Sequence, residues 1–196
     1  QYGFRKSRST VIPLACVRRI LERAEATNSQ LHLVFLDWEK AFDKIDHEQL
    51  FWALEQLDFP PSFVNAIKAL YTDPKFAVKI DSNTSSWRSQ KRGIRQGCPL
   101  SPYLFLCVMH VLFEMVHDEI NLARGTLDGL DFTEMVYADD TALMTNNVSA
   151  MNRLLAAIEK HAETFGLKFN KSKCVAMSFH ADHVPKFANG TNVTQE

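Results

Sequence analysis

The chain reads as an α+β domain, an antiparallel sheet with helices on one face. Three observations predict it. Short apolar runs of strand length are interleaved with longer stretches of helical period, two segments fold back around polar turns as hairpins, and no glycine-rich phosphate loop or internal repeat breaks the order. With 196 residues, 46% hydrophobic and 23% charged, the chain can bury a real core.

The elements follow in order. LHLVFLD, residues 31 to 37, is strongly apolar, β-branched and aromatic, which predicts a buried strand ending on an acid. DHEQLFWALEQL follows, with Asp46 as N-cap and Leu50, Phe51, Leu54 and Leu57 at helical spacing. PSFVNAIKALY, from Pro61, repeats that period. FAVKIDSNTSSWRSQKRG predicts a hairpin with SNTSS as its turn. Ser101 and Pro102 then read as N-cap and first-turn proline of a long apolar helix. DFTEMVYADDTALMT is a second hairpin. SAMNRLLAAIEKHAETFG is a helix starting at Ser149 and ended by Gly166, and CVAMSF, residues 174 to 179, is the last strand.

Composition excludes some classes. The apolar run from Tyr103 to Val116 is too short for a membrane span and holds His110 and Glu114, so it reads as a core helix and no membrane role is expected. Cys16, Cys98, Cys107 and Cys174 are far apart, and nothing at the start resembles a signal peptide, which predicts a reducing, intracellular compartment. The net charge of −1 decides nothing about nucleic acid, because the distribution of charge matters and not its sum. Neither end carries a polar tail or cap, so the chain reads as a fragment.

The chemistry is carried by acids. Two β-runs flanking Ala138, Asp139 and Asp140 set adjacent aspartates at a hairpin tip, where Asp tolerates unusual backbone angles and water or a metal has access. Asp37 ends a strand expected to be central in the same sheet. Two carboxylates about 4 Å apart repel by roughly 4 kcal/mol at an effective dielectric near 20, so such a cluster calls for protonation or a cation. Oxygen-only ligands favour Mg²⁺ or Mn²⁺ over zinc, and a pair of such ions would clamp the oxygens of an in-line phosphoryl transfer. Neighbouring strand residues point to opposite faces, so Asp139 and Asp140 are expected to contribute unequally, with Asp139 ranked first.

Beyond those acids the chain resembles the reverse transcriptase domain of non-LTR (LINE-like) retrotransposons over nearly its whole length. QYGFRKSRST looks like the segment between fingers and palm, LDWEKAFDKIDHEQL is similar to motif A, GIRQGCPLSPYLF to motif B, YADD to motif C and GLKFNKSKC to motif D. The resemblance implies a polymerase palm with a ferredoxin-like antiparallel sheet, plus part of the fingers. Residues 1–30 would connect fingers to palm, 31–180 would form the palm, and 181–196 would begin the strand leading to the primer grip. Upstream fingers, thumb and endonuclease are expected to lie outside this stretch, so this stretch alone is expected to be inactive or weak. Ser7 departs from the family's pattern, which has glycine there.

The implied activity is RNA-directed DNA polymerisation, with an RNA template, a DNA primer, dNTPs and two Mg²⁺ ions (Mn²⁺ as substitute), in the nucleus by family analogy. Asp37, Asp139 and Asp140 match the metal-binding acids. Phe42 matches the aromatic steric gate that leaves no room for a 2′-OH, Gln96 and Gly97 the motif B residues near the nascent base pair, and Lys173 the lysine that protonates pyrophosphate. Arg5, Lys6 and Arg8, with Arg88, Lys91, Arg92 and Arg95, make basic runs suited to phosphate, while acids crowd residues 37 to 58. The rival readings are an RNA polymerase or nucleotide cyclase on the same palm, opposed by Phe42 and by motifs B and D, and a decayed copy that binds RNA without catalysis, opposed by the intact acids. His180 and His183 lack a third ligand, Cys98 has no histidine nearby in sequence, and His47 falls in a first helical turn, so these read as structural.

Overall fold

A computed structural model of the chain describes residues 2–120, 125–127, 130–132 and 134–196. The elements are α1 (Val11–Thr27), β1 (Leu31–Leu36), α2 (Ala41–Lys44), α3 (His47–Gln56), α4 (Pro61–Leu70), β2 (Lys75–Phe76), β3 (Lys79–Ile80), β4 (Asn83–Thr84) and β5 (Arg88–Ser89). They continue with α5 (Ser101–Ile120), β6 (Gly125–Leu127), β7 (Leu130–Phe132), β8 (Glu134–Tyr137), β9 (Asp140–Thr145), α6 (Val148–Thr164), β10 (Val175–Phe179) and β11 (Thr194–Gln195).

The main sheet has the order β11-β10-β1-β9-β8. Its four antiparallel members, with helices between β1 and β8 and between β9 and β10, form the split βαβ arrangement of ferredoxin-like domains. Alternation along β1 explains why the sheet is covered on both sides. Val34 and Leu36 point into the larger core with Phe105 and Leu112 of α5, Leu154 of α6 and Leu50 of α3. Leu31 and Leu33 point the other way, where Ile20 and Ala24 of α1 and Met144 of β9 cover them. Burying each large aliphatic or aromatic side chain stabilises the fold by roughly 1.5–3 kcal/mol, so this two-sided packing makes β1 the anchor of the sheet.

Helix α1 was not predicted, and its local signals are weak. No side chain caps its first turn, which contains Pro13, and only Pro13, Ile20 and Ala24 are buried. The readable signal was the spacing of Val17, Ile20, Leu21 and Ala24, one stripe at i, i+3, i+4 and i+7.

Other boundaries have clear causes. Asp46 caps α3 as expected, its carboxylate accepting from the amides of Glu48 (3.0 Å) and Gln49 (3.3 Å). Asn147, rather than Ser149, caps α6 by accepting from the Ala150 amide at 2.7 Å. Gly166 ends α6 in a Schellman motif, with Leu167 donating to the Ala162 carbonyl and Gly166 to that of Glu163. Ser101 does not cap α5. Its hydroxyl donates to the Arg95 carbonyl at 2.6 Å, and its amide donates to the Cys98 carbonyl at 3.1 Å. The first hairpin turns at Asp81 and Ser82, one position before the expected SNTSS, because Asp81 accepts the left-handed angle (φ 52°) and the Ser85 hydroxyl is held at the Val78 amide. The second hairpin is β8–β9. Asp131 and Phe132, expected in it, pair instead within β6–β7.

Candidate active site

Asp37 follows directly on β1, and continuing the strand's alternation places it on the face of Leu33 and Phe35, away from the large core that receives Trp38. On β9 the register sets Leu36 opposite Thr141. Asp140 therefore shares Asp37's face with Ala142 and Met144, whereas Thr141 and Leu143 point to the opposite side. A groove of about 270 Å³ runs along this face, lined by Thr10, Leu14, Phe35, Tyr137 and Asp140 among others.

The turn joining β8 to β9 is two residues long, since Tyr137 pairs with Asp140. Ala138 has φ 58° and Asp139 does not share this sign, the pattern of a type II′ turn, which matches strand twist but disfavours a side chain at its first position. Asp139 lies at the exposed tip and Asp140 at the exposed start of β9. The ranking of Asp139 above Asp140 rests on the motif; the backbone sets Asp140 on the face of Asp37.

The electrostatics bind the three acids together. Partial burial, then the charges of Asp139 and Asp37, hold the Asp140 carboxyl above the ordinary aspartate range. Among the described residues none of the three acids makes an ion pair, and no three His, Cys, Asp or Glu side chains converge closely enough to ligate an ion. The donor set nevertheless suits a hard divalent cation: carboxylate oxygens only, two of them near enough to raise the Asp140 carboxyl, with no ion pair to neutralise them among the described residues.

Motif D is tied to motif A through the backbone. The Asn170 amide donates to the Asp37 carbonyl (2.8 Å), and the Asp37 amide donates to the buried Cys174 sulfur (3.4 Å). Burial pushes the Cys174 thiol up, which keeps it neutral beside the acids. Lys173 is exposed in the turn between these two contacts, its own amide held by the Asn170 carbonyl.

Motifs A and B are also clamped together. Phe42, half-buried, stacks on Phe105 with centroids 4.6 Å apart, and its carbonyl accepts from the Ile94 amide at 2.7 Å. Next to it the Gly93 amide donates to the Ile45 carbonyl, while His47 and Gln90 meet the Gly93 carbonyl. The Gln96 side-chain amide donates to Asp43 at 2.8 Å. Gly97, at φ 81°, has open space where a side chain would stand. Sequence reasoning missed Asp43, Gly93 and Cys174. Asp43 and Cys174 each adjoin a residue it had singled out, and that adjacency was the available signal.

The basic residues divide. Arg95 donates to the Leu70 carbonyl and sits over the Tyr71 ring, and Arg92 is 3.9 Å from Asp46, so both are anchored by the protein. Arg5, Arg8, Arg88 and Lys91 are exposed, Arg8 lying over the Tyr2 ring at 5.7 Å. His47 opens α3, as expected, and His183 acts through its charge on buried His32, whose pKa is lowered mainly by burial. Ser7 has φ 61°, the backbone region that glycine would occupy without strain.

This fold recurs in solved structures. Apo telomerase from Candida tropicalis, truncated from its C-terminal domain, superposes with a TM-score of 0.67 at 13% identity, over 88% of this chain and 36% of that one. The α+β architecture is thus that of a polymerase palm. The family model described as reverse transcriptase (RNA-dependent DNA polymerase) matches residues 1–192, and the chain belongs to that family. Among its relatives, the transposon TX1 149 kDa protein of Xenopus laevis is 31% identical over 86% of this chain, and the RNA-directed DNA polymerase from mobile element jockey of Drosophila melanogaster is 28% identical over 91%. The resemblance to LINE-like elements therefore stands. This chain spans only 13% and 19% of those two proteins. Among the described residues no helix is long and apolar enough to cross a membrane.

Proposed function

We propose that this chain is the catalytic palm of an RNA-directed DNA polymerase that extends a DNA primer on an RNA template. The observation that carries the reading is the trio Asp37, Asp139 and Asp140, grouped at one end of the sheet and without an ion pair among the described residues, with Asp140 raised by partial burial and then by its two neighbours. In the reaction the primer 3′-OH attacks the α-phosphorus of a dNTP and pyrophosphate leaves. Asp37 and Asp139 would hold two Mg²⁺ ions (Mn²⁺ as substitute), with Asp140 supporting them. Bound there, such ions supply charge stabilisation to the attacking and leaving oxygens.

The remaining residues position and select. Phe42, stacked on Phe105, is the gate that excludes a ribose 2′-OH. Gln96 and Gly97 border the nascent base pair, and the open space at Gly97 suits close approach of a ligand to backbone. Lys173, in the turn tied to Asp37, is the general acid for pyrophosphate. Arg5, Arg8, Arg92 and Arg95 border the phosphate path. Residues 1–30 connect fingers to palm, 31–180 are the palm, and 181–196 lead towards the primer grip. A chromosomal DNA primer sets the work in the nucleus.

The test is RNA-templated primer extension with dNTPs and with rNTPs, wild type beside Asp139→Ala. Metal-dependent dNTP incorporation that disappears in the variant supports the reading. Appreciable incorporation by Asp139→Ala refutes the site, and efficient rNTP use refutes the role of Phe42.

A further inference from the structure

The N-terminal segment reaches the catalytic turn. The Tyr2 amide donates to the Val136 carbonyl at 2.8 Å, adding the segment to the outer edge of β8 just before the Tyr-Ala-Asp-Asp turn. The next residue, Gly3, is buried, and a Cβ built on it would lie 2.3 Å from the Ala138 nitrogen and 2.9 Å from both its Cα and Cβ. Ala138 is itself buried and held at φ 58°. After Gly3 the chain turns away through Phe4, also at positive φ. The contact is backbone against backbone, so no flexible side chain can yield to a substituent.

We propose that Gly3 is a positioning residue for the catalytic turn: its lack of a side chain lets the N-terminal segment pack on Ala138 and hold Asp139 and Asp140 in register with Asp37. An Ala138 left-handed turn has no glycine of its own to make it relaxed, and the segment buttresses it from outside. Opening the 2.3 Å approach to the 3.4 Å of ordinary contact would displace the turn or the segment by about 1 Å. A misplacement of that size at a reacting centre lowers rate by about 10²-fold. This inference rests on the reading of the acids as the catalytic site.

The experiment compares the complete protein that contains this palm as wild type, Gly3→Ala, Gly3→Ala with Ala138→Gly, and Asp139→Ala, in primer extension and in hydrogen exchange over residues 134–141. Gly3→Ala should lower kcat about 10²-fold with KM for dNTP within about twofold, and speed exchange at the turn. Adding Ala138→Gly removes only the facing Cβ and leaves the 2.3 Å backbone approach, so it should not restore the rate; the unchanged KM and an exchange change confined to residues 134–141 separate a displaced turn from a general folding defect. Wild-type rate and exchange in Gly3→Ala, or a loss of rate with faster exchange throughout the chain, overturn the proposal. Activity surviving Asp139→Ala, or a complete protein that does not extend primers, refutes the catalytic reading instead, and the exchange comparison alone then decides whether Gly3 braces the turn.

Discussion

Replacing Gly93 by alanine should damage both stability and sugar selection. The residue has φ 85°, and an added Cβ would stand 2.7 Å from the backbone C, Cα and O of Asp43. The left-handed angle alone costs roughly 1–2 kcal/mol for alanine. Relief of the overlap pulls motif B from motif A, which breaks the hydrogen bonds from the Gly93 amide to the Ile45 carbonyl and from the Ile94 amide to the Phe42 carbonyl, both 2.7 Å. Leaving one such buried donor unsatisfied costs about 1–3 kcal/mol. The sum, about 2–5 kcal/mol, is a large share of a typical stability of about 5–15 kcal/mol. Urea unfolding should show the midpoint falling by about 1–2.5 M at an m-value near 2 kcal/mol/M. Gly97→Ala is the control: it carries the same angle with open space, so it should show the conformational part only, roughly 1–2 kcal/mol. Because the Ile94 amide holds the Phe42 carbonyl, Gly93→Ala should also raise rNTP relative to dNTP incorporation. Equal midpoints for the Gly93 and Gly97 variants, with unchanged sugar selection, would refute the clamp.

Three further changes test other parts of the account. Asp46→Ala removes both capping bonds of α3 and should lower stability by about 1 kcal/mol in thermal melts, with no change in melting temperature counting against the cap. Ser7→Gly relieves a left-handed serine and should stabilise by about 1 kcal/mol, read by the same melts; destabilisation would contradict the strain. Asp139→Asn bears on pH. The raised Asp140 carboxyl stays protonated in the folded chain above the pH where the unfolded chain releases its proton, so stability falls as pH rises from about 4 through the folded pKa and stays lowered above it. Removing one repelling neighbour should therefore stabilise the metal-free chain at pH 7, by a few tenths of a kcal/mol at this exposed site, and the gain should vanish near pH 3. An equal gain at both pH values would show that charge is not its source.

The sheet was legible because its strands announce themselves: β1, β8–β9 and β10 are apolar, β-branched runs, and Asp46 and Gly166 punctuate helices where their chemistry requires. Helix α1 escaped because it buries few residues under an uncapped start with Pro13 in its first turn. The acids were legible from their places at strand ends and a hairpin tip, but their shared face depends on register, which only the pairing of Leu36 with Thr141 fixes. Asp43, Gly93, Cys174 and Gly3 escaped for one reason. Each acts through a contact with a residue remote in sequence, and no local pattern encodes such a contact. The odd residue at Ser7 did mark a real feature, since a pattern asking for glycine there corresponds to a left-handed backbone.

The central claim is that Asp37, Asp139 and Asp140 together hold divalent cations for nucleotidyl transfer. Counting Mn²⁺ bound per chain by electron paramagnetic resonance, with an RNA template, a 3′-deoxy DNA primer and a matching dNTP, tests it most directly. The account predicts two ions in the wild type and loss of that binding in both Asp37→Asn and Asp139→Asn. Full Mn²⁺ occupancy in either variant would contradict it.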